Sequence, residues 1–319
     1  RGRSPLWGDA SSSAAFPALR RDPVRAPMKP SGKHLLQRVE RYGVLATRDR
    51  EALLGALAAQ RYFAPSEDLL VQGIPSDGVT VIVEGFACRY RLLPDGRRQI
   101  VGYLLPGDMC DLGSFLLRRM DHSVGALGAV TTSALPRAAV ARFILRRPLL
   151  TRALWWTTLV DDSITREWVV NVGQRSAFER MAHLFCEIFW RLEAVGLTRD
   201  NRCDLPMTQT ELADTLALSA VHVNRTLMYM RRVKLVALGG RHLVLQQRAA
   251  LEQAAGFDPA YLHLDGGSLF APGQAAGADG ADGADGADGA DGASRVDGAG
   301  RDGNHDSAVR PAVDRSRLT

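Results

Sequence analysis

Residues 206–227 contain two helix-start signals followed by side chains suited to contacting nucleic-acid bases. Thr208 is followed three residues later by Glu211, which is the spacing of a capping box, and Ser219 is placed to cap a second helix. Small Ala213 would let the two helices approach each other. The apolar residues that would pack between them are Leu212, Leu216, Val223 and Leu227. This pattern predicts a helix-turn-helix.

The second predicted helix, at about 219–231, would carry hydrogen-bonding groups near its N-terminal end, which is the end that enters the major groove of DNA. The residues on its exposed face are Val221, His222, Asn224 and Arg225. Arginine can donate to both O6 and N7 of guanine, asparagine can pair with adenine, and valine can only contact a thymine methyl group. We expect Arg225 to contact a base rather than remain a solvated charge, while both interpretations stay open for His222 and Asn224.

A short hairpin is predicted after the second helix. Residues 237–245 contain two apolar runs around Gly239-Gly240, which indicates two strands and a tight turn, the wing of a winged helix. Arg241 at the tip of the turn has the charge and reach to bond a phosphate. The predicted DNA-binding residues are Thr208, Gln209, Ser219, Val221, His222, Asn224, Arg225 and Arg241.

The segments that position this motif precede it in the chain. The spacing of their apolar residues changes near residue 148. Between residues 61 and 145, short apolar runs alternate with glycine and proline, which predicts a small β-roll or jelly roll after a helical lead-in at 35–59. The predicted strand runs are 68–73, 79–93, 99–105 and 124–134, with turns at Pro94-Asp95-Gly96 and Pro106-Gly107-Asp108.

From Pro148, apolar residues recur every three or four positions as far as Gly173, which predicts one helix about 39 Å long. That length exceeds what the flank of a small β-roll needs, so we expect the helix to pair with a second copy of the chain. The alternative is packing within its own chain. The apolar face consists of Leu149, Ala153, Trp156, Val160, Ile164, Trp168 and Val172. A second amphipathic helix is predicted at 176–195.

Charge and cysteine content restrict the class of protein. The 319 residues carry a net charge of +5, and residues 28–272 alone carry +6, which permits nucleic-acid binding without establishing it. The cysteines form neither a C-x-x-C pair nor a zinc or iron-sulfur spacing, so we expect no metal. They are Cys88, Cys110, Cys186 and Cys203. No stretch of about 18 apolar residues is free of charges, so we expect no membrane segment and a cytoplasmic location.

Both ends of the chain differ in composition from the middle. Residues 1–27 are rich in Arg, Pro, Ser and Ala, and we expect them to be a disordered, non-native extension ahead of Met28. Residues 273–319 include a run of Ala-Asp-Gly triplets and carry too little apolar surface to fold, so we expect disorder there. The remaining predicted domains are the β-roll at 28–147, a dimerisation helix at 148–173, the winged helix-turn-helix at 174–250 and a C-terminal extension at 251–272.

From about residue 28 to 272 the sequence resembles the Crp/Fnr family of bacterial transcription regulators, in particular a subgroup common in soil and plant-associated alphaproteobacteria. The segments that carry the resemblance are 85–90, 93–100, 119–123, 205–227 and 257–264. The resemblance implies an α+β fold with an N-terminal β-roll of the cyclic-nucleotide-binding type, a central dimerisation helix and a C-terminal winged helix-turn-helix. It also implies a homodimer on double-stranded DNA, with RNA polymerase as a partner.

Two positions in the helix-turn-helix depart from the family pattern. Ala217 stands where the family usually has glycine in the turn, which would cost about 1 kcal/mol if this residue is left-handed. Val221 or His222 replaces the base-contacting glutamate of many members. We therefore do not expect the target sequence of the better-known members here.

The pocket that binds cyclic AMP in the best-known members is changed as well. The resemblance places Leu112 where a glutamate accepts the ribose hydroxyl, and His122-Ser123 where an Arg-Ser pair holds the phosphate. Leucine accepts no hydrogen bond, and a neutral imidazole binds phosphate weakly, so we expect no response to cyclic AMP. The effector stays unidentified, and the pocket candidates are Asp111, Leu112, His122 and Ser123. The resemblance also places Cys88 and Cys110 on neighbouring segments, where structural thiols are favoured over a redox role.

Two other classes of function compete with a regulator. A cupin-like metal enzyme would need a His/Glu/His cluster, and the β-roll offers only His122 with Asp108, Asp111 and Asp121, so we expect no enzyme. The second is a cyclic-nucleotide-binding-like module whose winged helix meets protein rather than DNA. Salt-dependent binding of random DNA distinguishes this module from a regulator.

Overall fold

The computed structural model describes residues 32–117 and 119–265 of the chain. The expectations for residues 1–27 and 273–319 lie outside these residues. Within the described part, no helix is both long enough and apolar enough to cross a membrane.

The helical lead-in predicted at 35–59 is present as two short helices. Helix α1 spans Lys33–Val39 and helix α2 spans Thr47–Gly55. After α1 the amide of Tyr42 bonds to the carbonyl three residues back, a tightened last turn that ends the helix. The apolar residues that these helices bury include Leu35, Val39 and Leu53.

Seven strands of the described chain then form the predicted β-roll. They are β1 Arg61–Phe63, β2 Asp68–Leu70, β3 Gly78–Glu84, β4 Ala87–Leu92, β5 Arg98–Leu104, β6 Ser123–Ala126 and β7 Val130–Pro136. Their antiparallel pairing gives two sheets, with strand orders β1-β7-β3 and β2-β6-β4-β5. The apolar residues that pack between the sheets include Phe63, Ile82, Leu104, Val124 and Val130.

Two of the predicted strand runs, 79–93 and 124–134, each contain parts of two strands. Between β3 and β4 the chain turns at Gly85, whose φ is +84°. A Cβ atom at this position would lie 2.2 Å from the carbonyl oxygen of Ala129, so no side chain fits. The apolar character of the run continues through the turn, which is why periodicity alone did not divide it.

The two predicted turns of the β-roll have different outcomes. The turn at 94–96 joins β4 to β5 as a hairpin, as predicted. The turn at 106–108 is present, but it leads to a single bridge between Met109 and Val81 and then to a 3₁₀ helix, Leu112–Phe115, rather than to a second hairpin.

Helix α3 (Arg137–Arg146) leads into the long helix α4 (Pro148–Gln174), whose 27 residues give a length of about 40 Å. The predicted helix is confirmed, with Pro148 in its first turn. Its predicted apolar face, however, packs within the chain: Ile164 is 6% exposed and Trp168 7%. The expectation that this face pairs with a second copy is wrong for its buried residues Ala153, Val160, Ile164 and Trp168, because other parts of the same chain cover them.

A different face of α4 exposes apolar side chains. Trp155 is 65% exposed, Leu159 52% and Val169 69%. Asp162 and Arg166, which form an ion pair with each other, lie between these apolar residues. The five positions 155, 159, 162, 166 and 169 are separated by four, three, four and three residues, a spacing found on coiled-coil contact faces. We call these five residues the outer face of α4.

The C-terminal part contains the predicted helix-turn-helix and wing. Its elements are α5 Ala177–Glu193, β8 Thr198–Arg199, β9 Arg202–Asp204, α6 Gln209–Leu216, α7 Ala220–Arg232, β10 Val236–Gly239, β11 His242–Leu245, α8 Arg248–Ala255 and a 3₁₀ helix at Pro259–Leu262. Four strands pair in the order β10-β11-β9-β8, so the wing extends a sheet rather than standing alone. Strands β8 and β9 were not predicted, because two and three mostly polar residues show no apolar period.

A buried ionic network joins the β-roll to α5. Arg191 of α5 lies 2.7 Å from Asp108 and 3.2 Å from Glu187, and it donates to the carbonyl oxygen of Tyr103 at 2.9 Å. The side chains of the three charged residues are between 0 and 4% exposed. Such a set is stable only while every partner is present.

Two further arginines extend this network to α1 and α4. Arg38 lies 2.8 Å from Asp108 and 3.0 Å from Asp161, and Arg89 of β4 lies 2.9 Å from Asp161. Although burial opposes ionisation of Asp161, the charges of Arg89 and Arg38 hold the pKa of this carboxyl below its ordinary value. The aspartate is therefore charged at neutral pH and binds both guanidinium groups.

Replacing Arg191 by methionine is expected to lower the free energy of unfolding by about 3 to 5 kcal/mol, because Glu187 then loses its charged partner and Asp108 keeps only Arg38. Urea unfolding followed by circular dichroism measures the change. The control is Arg97→Ala, which breaks an exposed pair with Asp95 and should cost less than about 1 kcal/mol. If both variants lost less than about 1 kcal/mol of unfolding free energy, the buried network would stabilise the protein no more than an exposed ion pair does.

Candidate nucleic-acid interface

Side-chain caps determine where the two helices of the helix-turn-helix begin. At α6 the Thr208 hydroxyl accepts from the Glu211 amide at 3.2 Å, and the Glu211 carboxylate accepts from the Thr208 amide at 2.7 Å, so the predicted capping box is confirmed. At α7 the Ser219 hydroxyl accepts from the His222 amide at 3.2 Å. Gln209, the first residue of α6, is exposed beside the cap. Both capped ends present unpaired backbone amides, which suit phosphate oxygens.

Ala217 turns the chain between α6 and α7 in the left-handed conformation, with φ 53° and ψ 45°. An alanine is strained there, as the sequence predicted for a left-handed residue at this position. The surroundings maintain the turn: Arg180 of α5 donates to the carbonyl oxygen of Leu216 at 3.0 Å, and the amide of Leu218 bonds to Ala213 O at 3.2 Å.

One face of α7 is buried against α5 and α6. Val223, Leu227 and Met230 are between 0 and 1% exposed and belong to the same apolar cluster as Leu212 and Leu216. The predicted core between the two helices is confirmed. Because this face is fixed, the rotation of α7 about its axis is fixed too, and the opposite face must point outward.

The outward face of α7 carries the predicted base-contacting residues. Val221 is 69% exposed, and His222, Asn224 and Arg225 are exposed with it. No residue of the described chain forms an ion pair with Arg225, so its guanidinium donors are available to a ligand. The structure therefore brings these four predicted residues together on one surface.

Sequence reasoning missed Met228 and Tyr229, farther along the same helix, whereas it left open whether Arg232 is solvated or meets the nucleic-acid backbone. Met228 is 63% exposed, and the guanidinium of Arg232 lies 5.4 Å from the ring centroid of Tyr229. The Tyr229 ring packs edge-on against Phe178 of α5 at 5.7 Å, which holds the C-terminal half of the exposed face in place. The missing signal was the seven-residue spacing from Val221 to Met228, which returns a helix to nearly the same face.

The wing is present, and Arg241 in its turn contacts the β-roll. The turn between β10 and β11 holds Gly240 and Arg241, both with positive φ. Arg241 is exposed and donates to the carbonyl oxygen of Leu127 in the β-roll at 3.5 Å. Its predicted contact with phosphate stays a prediction.

The β-roll contacts the helix-turn-helix directly through strand β5. Arg98 donates to the Asp214 carboxylate at 2.8 Å, and Gln99 donates to the carbonyl oxygen of Thr215 at 3.3 Å. The hydroxyls of Tyr103 and Thr215 form a further short hydrogen bond. The β-roll and helix α6 therefore share a hydrogen-bonded surface.

The four candidates for an effector pocket lie in two different environments. Leu112 packs on the apolar cluster beneath α3 and α4, and Asp111 precedes it at the start of the 3₁₀ helix. Ser123 is buried on β6, where its hydroxyl accepts from the Gln72 amide at 3.0 Å. The structure therefore places Leu112 among apolar residues and Ser123 in a polar contact on β6.

His122, beside Ser123, faces an acidic neighbour. Its Nδ1 lies 2.6 Å from Oδ1 of Asp121, and this hydrogen bond lowers the pKa of the Asp121 carboxyl. A carboxylate that stays ionised next to the imidazole opposes the approach of an anionic phosphate.

All four cysteines are buried and unpaired. Burial raises the pKa of the Cys88, Cys110 and Cys203 thiols to about 12, so the reactive thiolate is scarce at neutral pH. Cys88 and Cys110 also lie in different apolar clusters, one facing the long helices and one between the sheets. Among the described residues, no group of three or more His, Cys, Asp or Glu side chains is placed to hold a metal ion.

Comparison with known proteins agrees with this geometry. Residues 60–147 match the cyclic nucleotide-binding domain and residues 179–254 match the Crp-like helix-turn-helix domain. The nitrogen fixation regulation protein FixK of Bradyrhizobium diazoefficiens is 37% identical over 175 residues, which are 54% of this chain and 72% of that protein. The transcriptional activatory protein AadR of Rhodopseudomonas palustris is 34% identical over 61% of this chain and 80% of its own. The structure of FixK2 from Bradyrhizobium japonicum aligns with a TM-score of 0.57 at 25% identity, over 62% of this chain and 96% of that one.

A β-roll of the cyclic-nucleotide-binding type, a long connecting helix and a winged helix-turn-helix with a polar exposed face together define a DNA-binding transcription regulator. FixK2 shares this fold over 96% of its chain. The chain belongs to the Crp/Fnr family.

Replacing Ala217 by glycine is expected to stabilise the protein by about 1 kcal/mol, because glycine adopts the left-handed conformation without strain. Thermal unfolding of the two proteins measures the difference. The matched control is Ala220→Gly in the first turn of α7, where the same change should destabilise. A loss of stability from Ala217→Gly would show that packing of the alanine methyl group outweighs its backbone strain.

Proposed function

We propose that the protein binds a pseudo-palindromic DNA site as a homodimer, with α7 as the recognition helix in the major groove. The observation that carries this proposal is the exposed face of α7, on which Arg225 stands without an ionic partner in the described chain. Two such helices related by a two-fold axis would enter successive major grooves about one helical turn apart.

The exposed side chains suggest a division of roles. Arg225 bonds O6 and N7 of a guanine, Asn224 and His222 supply further polar contacts to base edges, and Val221 contacts a thymine methyl group. Thr208, Gln209 and Ser219 lie at the capped helix ends, where backbone amides and hydroxyls position the phosphates. Arg241 adds a phosphate contact once it leaves the Leu127 carbonyl.

DNA selected from a random pool, followed by footprinting, tests the proposal. Arg225→Ala is expected to cost about 1 to 3 kcal/mol at the selected site and to relax the preference at one base pair. Arg225→Lys, the matched control, keeps the charge but cannot form the two parallel bonds, so the preference should relax in this variant too. If Arg225→Ala weakened binding equally for all sequences, Arg225 would contact only phosphate.

For the dimer we propose the outer face of α4 as the contact surface. Its apolar residues Trp155, Leu159 and Val169 are each more than half exposed, and they follow the spacing that keeps a helix facing a partner. The ion pair between Asp162 and Arg166 lies between them and would set the register of the two copies.

Leu159→Asp is expected to yield a monomer with unchanged helix content, because the carboxylates of both copies would meet in the apolar contact. Analytical ultracentrifugation measures the mass. Gln174→Asp, at the exposed C-terminal end of the same helix and on a different side of it from the outer face, is the control and should leave a dimer. A dimer in the Leu159 variant would place the contact elsewhere.

We further propose that cyclic AMP is not the effector. Leu112 offers no acceptor for a ribose hydroxyl, and Nδ1 of His122 is hydrogen-bonded to the carboxylate of Asp121, whose pKa is lowered by that bond. Losing both contacts removes about 1.5 to 3 kcal/mol per charge-assisted bond. Isothermal calorimetry with cyclic AMP and cyclic GMP should show no saturable binding, and a dissociation constant near 10 μM for either nucleotide would contradict the proposal.

The regulator acts without catalysing a reaction, in the cytoplasm where its DNA target lies, and RNA polymerase is its further partner. These points rest on the function of the family and on the exposed DNA-facing surface. A winged helix that failed to retain random DNA at low salt, yet captured a protein, would support the competing protein-binding module.

A further inference from the structure

Four residues form a straight line along the outward face of α7. Val221, Arg225, Met228 and Arg232 follow one another at intervals of four, three and four residues, and a helix of 3.6 residues per turn places them on one stripe. The stripe lies opposite the buried residues Val223, Leu227 and Met230. It is therefore the part of α7 that projects farthest from the protein.

Two apolar side chains on this stripe are more than half exposed. Val221 is 69% exposed and Met228 63%, and they stand on either side of Arg225. Packing within the described chain therefore does not explain why apolar side chains stand at these two positions of a surface that would face polar bases. An exposed methionine is also flexible enough to adapt to a neighbouring methyl group.

The major groove offers one apolar group, the C5 methyl of thymine. The other exposed base edges carry donors or acceptors, and an apolar side chain pressed against one of these would leave it without a hydrogen bond. The chemistry of the stripe therefore selects for thymine at the positions that Val221 and Met228 meet.

The spacing of the stripe sets the distance between those positions. Residues 221 and 228 are seven apart, which is about 10.5 Å along the helix axis, and this equals about three base-pair steps of 3.4 Å. Arg225 lies between them, about 6 Å from Val221 and about 4.5 Å from Met228 along the axis.

We propose that Met228 is a specificity-determining residue that contacts a thymine methyl group, about three base pairs from the thymine contacted by Val221, with the guanine bonded by Arg225 between them. This inference rests on the proposed function of α7 as the recognition helix. It adds a residue beyond the N-terminal end of the helix and gives the half-site a pattern of two thymines that flank a guanine.

Replacing single thymines of the selected site by deoxyuridine tests the proposal, because this removes only the methyl group and leaves base pairing and hydrogen bonding unchanged. For the wild-type protein, affinity should fall about threefold to fivefold at two positions about three base pairs apart, the value expected for one buried methyl group. Met228→Ala should lose the sensitivity at one of these positions, and Val221→Ala the sensitivity at the other.

Two control variants distinguish a direct contact with the thymine methyl group from a general loss of DNA affinity. Met228→Leu keeps an apolar side chain and should keep the sensitivity to deoxyuridine. Val233→Ala changes an exposed apolar residue just after α7 and off the stripe, and both sensitivities should remain. Because Met228 and Val233 are exposed, the variants should fold as the wild type does, which circular dichroism verifies.

The outcomes distinguish this inference from the proposed function. If the wild type binds a selected site but deoxyuridine has the same effect in wild type and Met228→Ala, the role of Met228 is overturned while DNA recognition stands. If deoxyuridine has no effect at any thymine, the contacts of both apolar residues are overturned. A random pool from which no sequence is enriched would overturn the proposed function itself, and the inference with it.

Discussion

The burial of Arg191 among its acidic partners is the constraint on which the arrangement of the two halves depends. A buried guanidinium is stable only where its charge is compensated, and here Asp108 from the β-roll and Glu187 from its own helix lie against its two terminal nitrogens. Glu187 in turn accepts from Trp168 of α4 at 2.9 Å and from Tyr261 near the C-terminal end of the described chain at 3.0 Å. Burial raises the pKa of the Glu187 carboxyl, although the positive charge of Arg191 acts in the opposite direction. The carboxyl therefore depends on those donors to remain charged. The β-roll, α4 and the C-terminal 3₁₀ helix are thus joined to α5 through the pair formed by Arg191 and Glu187.

The same junction connects the β-roll with the DNA-facing helices. Tyr103 takes part twice: its carbonyl oxygen accepts from Arg191 of α5, and its hydroxyl bonds to Thr215 of α6. Arg98 on the same strand holds Asp214 at 2.8 Å. A displacement of β5 would therefore act on α5 and α6 together, and α7 is packed on both. The exposed face of α7 would move as one surface, with its internal spacing unchanged.

Local signals in the sequence predicted most of the C-terminal site. The capping box at Thr208, the cap at Ser219 and the left-handed Ala217 depend on neighbours within a few residues, and each appears in the structure as expected. Features that depend on distant segments were not accessible in this way. The apolar period of α4 indicated a helix correctly, but periodicity does not say which neighbour covers a face, so Ile164 was assigned to a dimer contact although it is buried in its own chain. The ionic network around Arg191 joins residues more than 80 positions apart and left no pattern in the sequence.

The four buried cysteines allow the local opening of the protein to be measured at four positions. Cys88, Cys186 and Cys203 belong to the large cluster shared by the long helices and the winged helix, whereas Cys110 lies between the two sheets of the β-roll. Since a thiol reagent reaches a buried sulfur only when the surrounding structure opens, the rate at which each cysteine is labelled measures the free energy of opening at its position. Labelling of Cys110 before Cys186 would show that the β-roll unfolds locally while the helical cluster stays closed. Comparable rates at all four would show that the whole described chain opens as a single cooperative unit.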